Sequence, residues 1–318
     1  MISRTTDPVS ADLPYPELAP LKPGDRVGII TPSSRPGIEN YERSIDIIRE
    51  WCLEPVFGKH VRAANAQLPY LAGTDEQRAS DLMDAWCDDS LAAVFCLRGG
   101  YGSMRIVDLL DIDRLRRAKP KALVGSSDIT GLHEFWEQHL GVATWFAPMF
   151  ATNDLLHSRY NLDHLKRALF SPVSKRSLRG AHAETMVPGT AEGTLTGGNL
   201  TLIRMARGMN LYADGAGAAG KIVLIEDVDE ETWRLDGSLT TLLRSGYFDG
   251  VAGIALGTWS KCGIEREVKA VLYDRLAPLG VPLIWGVPFG HAQPVDTVPL
   301  GVRARIVADA HDPRIEIL

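Results

Sequence analysis

The stretch "ALVGSSDITGLHEFW", Ala122 to Trp136, passes from an apolar strand pattern through Gly-Ser-Ser-Asp into a helical pattern. A strand that becomes a helix through small residues lifts a side chain above the sheet, where the unpaired N–H groups of the first helical turn converge. Ser126 or Ser127 there could be a nucleophile, or the segment could simply cap the helix. The hydrolase elbow G-x-S-x-G is not met, because Ile129 stands where its last glycine should be. A second loop, "CLRGGYGSMR" (Cys96 to Arg105), places Gly99, Gly100 and Gly102 between a buried strand and a helix. Its glycines allow close backbone approach to a ligand, but it has neither the Lys-Ser/Thr ending of a P-loop nor G-x-G-x-x-G spacing. If it lies beside the serines, its N–H groups and that of Asp128 could form an oxyanion hole. A serine nucleophile also needs a base and a carboxylate. Glu226 and Asp227 end the apolar run "IVLIEDV", and His291 sits in the stiff loop "GVPFGHAQPVD". His133 is the one competing imidazole near the serines. The chemistry these types could perform together is acyl transfer.

Such groups need a scaffold, and the first half of the chain alternates short apolar runs with helical patterns. "RVGII", "EPVFG" and "LAAVFCL" read as strands, while "GIENYERSIDIIREWC" and "TDEQRASDLMDAWCD", capped by Thr74, read as helices. "SMRIVDLLDIDRLRRA" reads as one more helix. Continuous apolar strands separated by helices indicate a parallel sheet covered on both faces. From about Ala151 the pattern loosens into charged and serine-rich sequence. Beyond it, "GTAEGTLTGGNLTLI", "GKIVLIEDV", "VAGIALGTW" and "VPLIWGVPFGH" read as strands, with helices at "LDGSLTTLLRSG" and "EREVKAVLYDRLAPLG". The expected organisation is an N-terminal extension (1–22), a Rossmann-like α/β nucleophile domain (23–165), a linker (166–187) and a smaller, strand-rich α/β C-terminal domain (188–318).

A chain of 318 residues with 45% hydrophobic content can bury two cores. The net charge of −6 and the lack of a Lys/Arg block argue against nucleic acid or an anionic membrane as partner, and point to a small molecule or peptide. The start, Met1 to Pro23, has no signal-peptide pattern, and no apolar run is long enough to span a bilayer, so the expectation is a soluble cytoplasmic protein. Cys52, Cys87, Cys96 and Cys262 form no CxxC pair and are expected to be buried free thiols, with no metal site and no cofactor.

Taken together, "GDRVGIITPSS", "YLAGTDEQRASDLMDAWCD", "LRGGYGSMRI", "ALVGSSDITGLH", "PGTAEGTLTGGNLTLI", "LIEDVDE" and "GHAQPVDTVPLG" resemble, in order and over nearly the whole chain from Leu21, the LD-carboxypeptidase family of serine peptidases. That family includes the microcin C immunity peptidases. The resemblance implies a Ser-Glu-His triad falling on Ser127, Glu226 and His291, with oxyanion donors at the amides of Gly100 and Asp128. Ser126 stands where the family commonly has Tyr, and Phe146-Ala147-Pro148 where it often has His-Gly-Pro. The implied substrate is a murein tetrapeptide that loses its terminal D-Ala during cytoplasmic wall recycling, without a cofactor. Arg98 is the nearest candidate partner for the substrate's terminal carboxylate, with Gly99 a further substrate contact, and a homodimer is a further expectation. The microcin branch instead hydrolyses aminoacyl or peptidyl nucleotides and stacks the base on an aromatic side chain. No tryptophan lies between Trp145 and Trp233 and no aromatic between Ser171 and Pro188, which favours the murein branch, although Tyr160, Phe170 or Tyr212 could supply a ring. A non-catalytic two-domain binding protein and a glutamine-amidotransferase-like enzyme are the other classes. The latter needs a cysteine nucleophile, and Cys96 falls inside a strand.

Overall fold

The computed structural model describes residues 18–174, 176–209 and 217–318; Tyr212 and the first 17 residues lie outside the described residues. The chain forms two compact units, divided between Pro172 and Val173.

The first unit contains β1 (Arg26–Ile30), α1 (Ile38–Glu50), β2 (Glu54–Phe57), α2 (Asp75–Cys87), β3 (Leu91–Cys96), α3 (Ser103–Ile106), α4 (Ile112–Arg117), β4 (Ala122–Gly125), α5 (Thr130–Leu140), β5 (Thr144–Phe146), α6 (Asn153–Leu156) and α7 (Arg159–Phe170). Its strands run β5-β4-β3-β1-β2, all parallel. The chain order reverses between β1 and β3, so the loops after those two strands diverge and leave a crevice at their carboxyl ends, the usual ligand position of such sheets. The inner strands β1, β3 and β4 are apolar on both faces because helices cover both: Val27, Ile29, Phe95 and Val124 are wholly buried, whereas the edge strand β2 is partly exposed. Trp86 of α2 meets Trp136 of α5 edge-on at 5.1 Å between ring centroids. Phe95 stacks on Phe150 at 4.4 Å, and truncating it to Ala would cost about 3–5 kcal/mol. Thr74 closes a reciprocal capping box with Gln77 at the start of α2. Gly141, left-handed at φ 61°, stops α5.

The second unit contains β6 (Ser177–Leu178), β7 (Glu184–Val187), β8 (Gly189–Asn199), α8 (Leu200–Gly208), β9 (Lys221–Val228), α9 (Thr232–Arg244), β10 (Gly253–Ser260), α10 (Glu265–Leu276), β11 (Leu283–Trp285), β12 (Val298–Leu300), β13 (Arg303–Ala308) and β14 (Arg314–Ile317). Its sheet runs β6-β14-β13-β8-β9-β10-β11-β7. The centre, β8 to β11, is parallel, with α8, α9 and α10 as the crossovers, and antiparallel strands flank it on both sides. The carboxyl ends of β8, β9 and β10 therefore lie side by side.

Several sequence expectations need correction. The stretch 103–118 is not one helix: α3 and α4 are separate, because Asp111 accepts from the Arg114 N–H and starts α4 afresh. Residues 166–187 are no linker, since they contain the end of α7 and the strands β6 and β7, each paired within the second unit's sheet. "GGNLTLI" does not continue as strand: the Asn199 side chain accepts from the Leu202 N–H and turns the chain into α8. Residues 18–22 do not project as an extension, because Leu18 and Leu21 are buried and the Leu21 N–H binds the Leu169 carbonyl at 2.8 Å. Cys96 and Cys262 are buried, but Cys52, left-handed just beyond α1, is exposed and Cys87 half-buried. Among the described residues no helix is long and apolar enough to cross a membrane.

Candidate active site

At the carboxyl end of β4, Ser126 is extended and Ser127 adopts φ 59°, in the left-handed region that costs a non-glycine residue energy. Strain of this kind persists only where the surroundings impose it. The Ile129 N–H closes the turn onto the Ser126 carbonyl at 3.0 Å. The Gly125 carbonyl before it accepts from the Ala147 N–H at 3.0 Å and from His133 Nε2 at 2.9 Å. Ser126 is buried and its N–H points to Met149 Sδ at 3.0 Å, whereas Ser127 is half-exposed. Of the two adjacent hydroxyl residues, the turn presents the second.

The glycine loop lies against this turn. A carbon added at Gly99 would meet Ser127 Cβ at 3.1 Å and the Asp128 nitrogen at 3.4 Å, so only glycine allows the two backbones to approach this closely. Gly100, at φ 95°, leaves no room for a side chain beside Ser34 Oγ. The loop after β1 brackets the same site: the Ser34 N–H donates to the Gly99 carbonyl at 3.1 Å, and the Tyr101 N–H to Ser34 Oγ at 3.2 Å. The expected neighbours Gly99, Gly100, Ser127 and Asp128 are thus brought together within the first unit. Arg98 is exposed, and its Nη1 donates to the Arg35 carbonyl at 2.6 Å, tying the two loops.

His133, the competing imidazole, is wholly enclosed in α5, and burial pushes its pKa down to about 4. A neutral ring whose Nε2–H is committed to the Gly125 carbonyl supports the turn from below and cannot serve as a base above it.

In the second unit the carboxyl ends of β9 and β10 hold the remaining groups. Glu226 is fully buried, and its Oε2 lies 2.7 Å from His291 Nδ1. Burial pushes the Glu226 carboxyl up, and the adjacent His291 opposes that shift. A proton on Nδ1 donated to Glu226 leaves the basic lone pair on Nε2, the arrangement a general base requires. The histidine loop is held by Thr258 at the end of β10, whose Oγ1 accepts from the His291 N–H at 2.8 Å and the Ala292 N–H at 3.1 Å. Gly290, at φ 124°, precedes the histidine, and a carbon added there would lie 2.8 Å from Glu226 Oε2. Thr258 was not apparent in the sequence, where a threonine within "GTWS" reads as an ordinary strand residue.

Asp227 has a different task. Its Oδ1 accepts from Asn199 Nδ2 and the Val228 N–H, both at 2.8 Å, and its Oδ2 from the Thr201 N–H at 3.0 Å and Thr201 Oγ1 at 2.8 Å. All its lone pairs are spent tying β9 to the start of α8. Among the described residues no group of three or more His, Cys, Asp or Glu side chains is placed to hold a metal ion.

Comparison with known proteins covers both units. Residues 27–147 match the family model of the LD-carboxypeptidase N-terminal domain, and residues 192–306 that of the LD-carboxypeptidase C-terminal domain. A Streptomyces coelicolor protein provisionally named a carboxypeptidase is 43% identical over 291 residues, spanning 92% of this chain and 93% of its own. The crystal structure of a muramoyltetrapeptide carboxypeptidase from Oxalobacter formigenes superposes with a TM-score of 0.77 at 26% identity, covering 92% of this chain and 98% of that one. The microcin C7 self-immunity protein, in a variant bound to adenosine monophosphate, shares the fold with a TM-score of 0.82 at 22% identity, covering 95% of this chain and 98% of that one.

Proposed function

The chain belongs to the LD-carboxypeptidase family of serine carboxypeptidases, and from that premise we propose that it releases terminal D-Ala from murein tetrapeptides through a Ser127–His291–Glu226 acyl-enzyme. The observation that carries the reading is the hydrogen bond between His291 Nδ1 and the buried Glu226 Oε2, which orients an imidazole for proton transfer at Nε2. In this reading Ser127 Oγ attacks the carbonyl of the L-centred third residue while His291 Nε2 accepts its proton. The amides of Gly100 and Asp128 take the oxyanion. Collapse of the tetrahedral intermediate breaks the C–N bond, and the imidazolium returns its proton to the departing D-Ala amine. Water, deprotonated by the same imidazole, then hydrolyses the ester and restores Ser127. Arg98, exposed on the glycine loop, receives the substrate's terminal carboxylate, with Gly99 a further substrate contact. The enzyme works in the cytoplasm on recycled wall peptides, takes a peptide and not a nucleic acid, needs no cofactor, and assembles as a homodimer, which sedimentation equilibrium would read.

The microcin-like alternative, hydrolysis of aminoacyl or peptidyl nucleotides, needs an aromatic platform worth about 1–3 kcal/mol per base. The residues 171–188 offer none, and Phe170 packs edge-on against Trp51 at 6.4 Å. One assay separates the two: purified protein is incubated in parallel with a murein tetrapeptide and with an aminoacyl sulfamoyl-adenylate, and the products are followed by mass spectrometry. D-Ala release that requires Ser127 supports the murein reading. Rapid cleavage of the adenylate without D-Ala release would overturn it.

A further inference from the structure

Among the buried charged side chains of the first unit that take no part in the proton transfers above, Arg78 and Asp128 lie beside the nucleophile turn and the loops facing it. Arg78, on α2, has a side chain only 1% exposed. Its Nη1 donates to the Pro32 carbonyl at 2.5 Å and the Gly102 carbonyl at 2.7 Å, and its Nη2 pairs with Asp75, which in turn binds Arg105. Asp128, next to Ser127, is equally enclosed. Its Oδ2 accepts from Ser33 Oγ at 2.6 Å and from the Ser103 N–H at 2.7 Å, while its own carbonyl accepts from Ser103 Oγ.

The pairing has a definite register. Arg78 grips Pro32 and Gly102, and Asp128 grips Ser33 and Ser103, the very next residue on each loop. Burial lowers the pKa of Arg78, and the hydrogen-bonded carboxylate of Asp75 acts against that shift, with a lesser contribution from Asp128. A loop with glycines at 99, 100 and 102, two of them at positive φ, has little conformational preference of its own. Its geometry must be imposed from outside. Buried charged groups are a poor way to gain stability, since apolar groups of similar volume often do as well or better, but hydrogen-bonded to backbone as here they fix direction and register.

We propose that the Asp128 carboxylate acts as a positioning residue for acylation, locking the loops after β1 and β3 against the nucleophile turn, while Arg78 grips the preceding residue of each loop, so that the amides of Gly100 and Asp128 keep the spacing an oxyanion needs. This rests on the assignment of Ser127 as nucleophile. Asp128 therefore has two separate roles: its amide faces the reaction, while its carboxylate holds the frame. A displacement of even about 1 Å in such a frame is felt mainly in the chemical step.

The test compares Asp128→Ala, Asp128→Asn, Ser33→Ala and Ser127→Ala, all assayed well below their melting temperatures. Two readouts are taken: steady-state D-Ala release, and the rate at which a fluorophosphonate, whose fluoride leaves as Oγ bonds to phosphorus, labels the serine. Asp128→Ala should lower kcat by about 100-fold, with KM changed no more than about threefold, as expected when an oxyanion donor is misplaced. Labelling should slow by the same factor. Asp128→Asn keeps an acceptor oxygen for both Ser33 and Ser103 and should recover kcat to within about tenfold of the parent. Ser33→Ala removes a single hydroxyl and should cost about tenfold in kcat, so it reads the same effect if Asp128→Ala does not fold. Unchanged kcat and labelling in folded Asp128→Ala or Ser33→Ala would overturn the proposal, as would an Asn variant no better than Ala. Activity surviving in Ser127→Ala would instead overturn the nucleophile assignment, so the two failures are distinct.

Discussion

His133 makes the stability of the first unit sensitive to acid in a way that can be calculated. Its ring is fully enclosed, Nε2 is bonded to the Gly125 carbonyl at 2.9 Å, and no described residue accepts a proton from Nδ1. Burial lowers the pKa from the ordinary 6.5 to about 4 in the folded chain. The unfolded chain therefore binds a proton as pH falls through about 6.5, while the folded chain does not bind it until about 4. Stability from this site is complete above about pH 6.5, drains away as pH falls toward 4, and stops falling once both states are protonated. At about 1.4 kcal/mol per pH unit the loss is roughly 3 kcal/mol. The comparison is His133→Gln, which keeps a donor for Gly125 but does not titrate. Guanidinium unfolding, followed by tryptophan fluorescence at pH 7, 6, 5 and 4, should show the parent losing roughly 3 kcal/mol more than the variant across that range. Parallel curves would mean that His133 titrates alike in both states and that its burial carries no pH-dependent cost.

The site makes further predictions. Glu226→Gln should lower kcat by about 1000-fold or more, because the imidazole loses its orienting anion, whereas Asp227→Asn should leave kcat within about tenfold and lower the melting temperature, because four donors then face a neutral amide. Thr258→Val removes the acceptor shared by the His291 and Ala292 amides and should cut kcat/KM by about tenfold or more, with Thr258→Ser restoring most of it. The acid limb of the kcat/KM profile should be unmoved in His133→Gln, because that imidazole takes no part in proton transfer. Incubation with a chelator should leave turnover unchanged, because a serine acyl-enzyme mechanism uses no metal.

The parallel first sheet was legible because its inner strands β1, β3 and β4 are buried on both faces and so appear as nearly unbroken apolar runs. The turn after β4 was legible for a related reason: a strand and a helix joined by Gly-Ser-Ser-Asp have few ways to meet. Which serine faces outward was not, because that depends on the left-handed φ of Ser127, and the choice came from family resemblance. The same holds for Glu226 over Asp227, since adjacent acids at a strand end look alike until one is spent on Asn199 and Thr201. Helix α8 was hidden because "NLTLI" reads as strand unless the Asn199 side chain is known to cap it. Strands β6 and β7 were hidden because they are only two and four residues long, too short to show an alternating pattern. Arg78 and Thr258 were missed for a deeper reason: both act through backbone groups distant in sequence, and nothing local marks such partners.

In the proposed mechanism Ser127, not Ser126, carries the acyl group. This assignment is tested most directly by treating the parent protein, Ser126→Ala and Ser127→Ala with a fluorophosphonate, mapping the adduct by peptide mass spectrometry, and measuring D-Ala release from a murein tetrapeptide on the same samples. A single adduct is expected on Ser127 in the parent and in Ser126→Ala, with activity lost in step with labelling, and neither adduct nor D-Ala release in Ser127→Ala. An adduct on Ser126, or full D-Ala release by Ser127→Ala, would contradict the assignment.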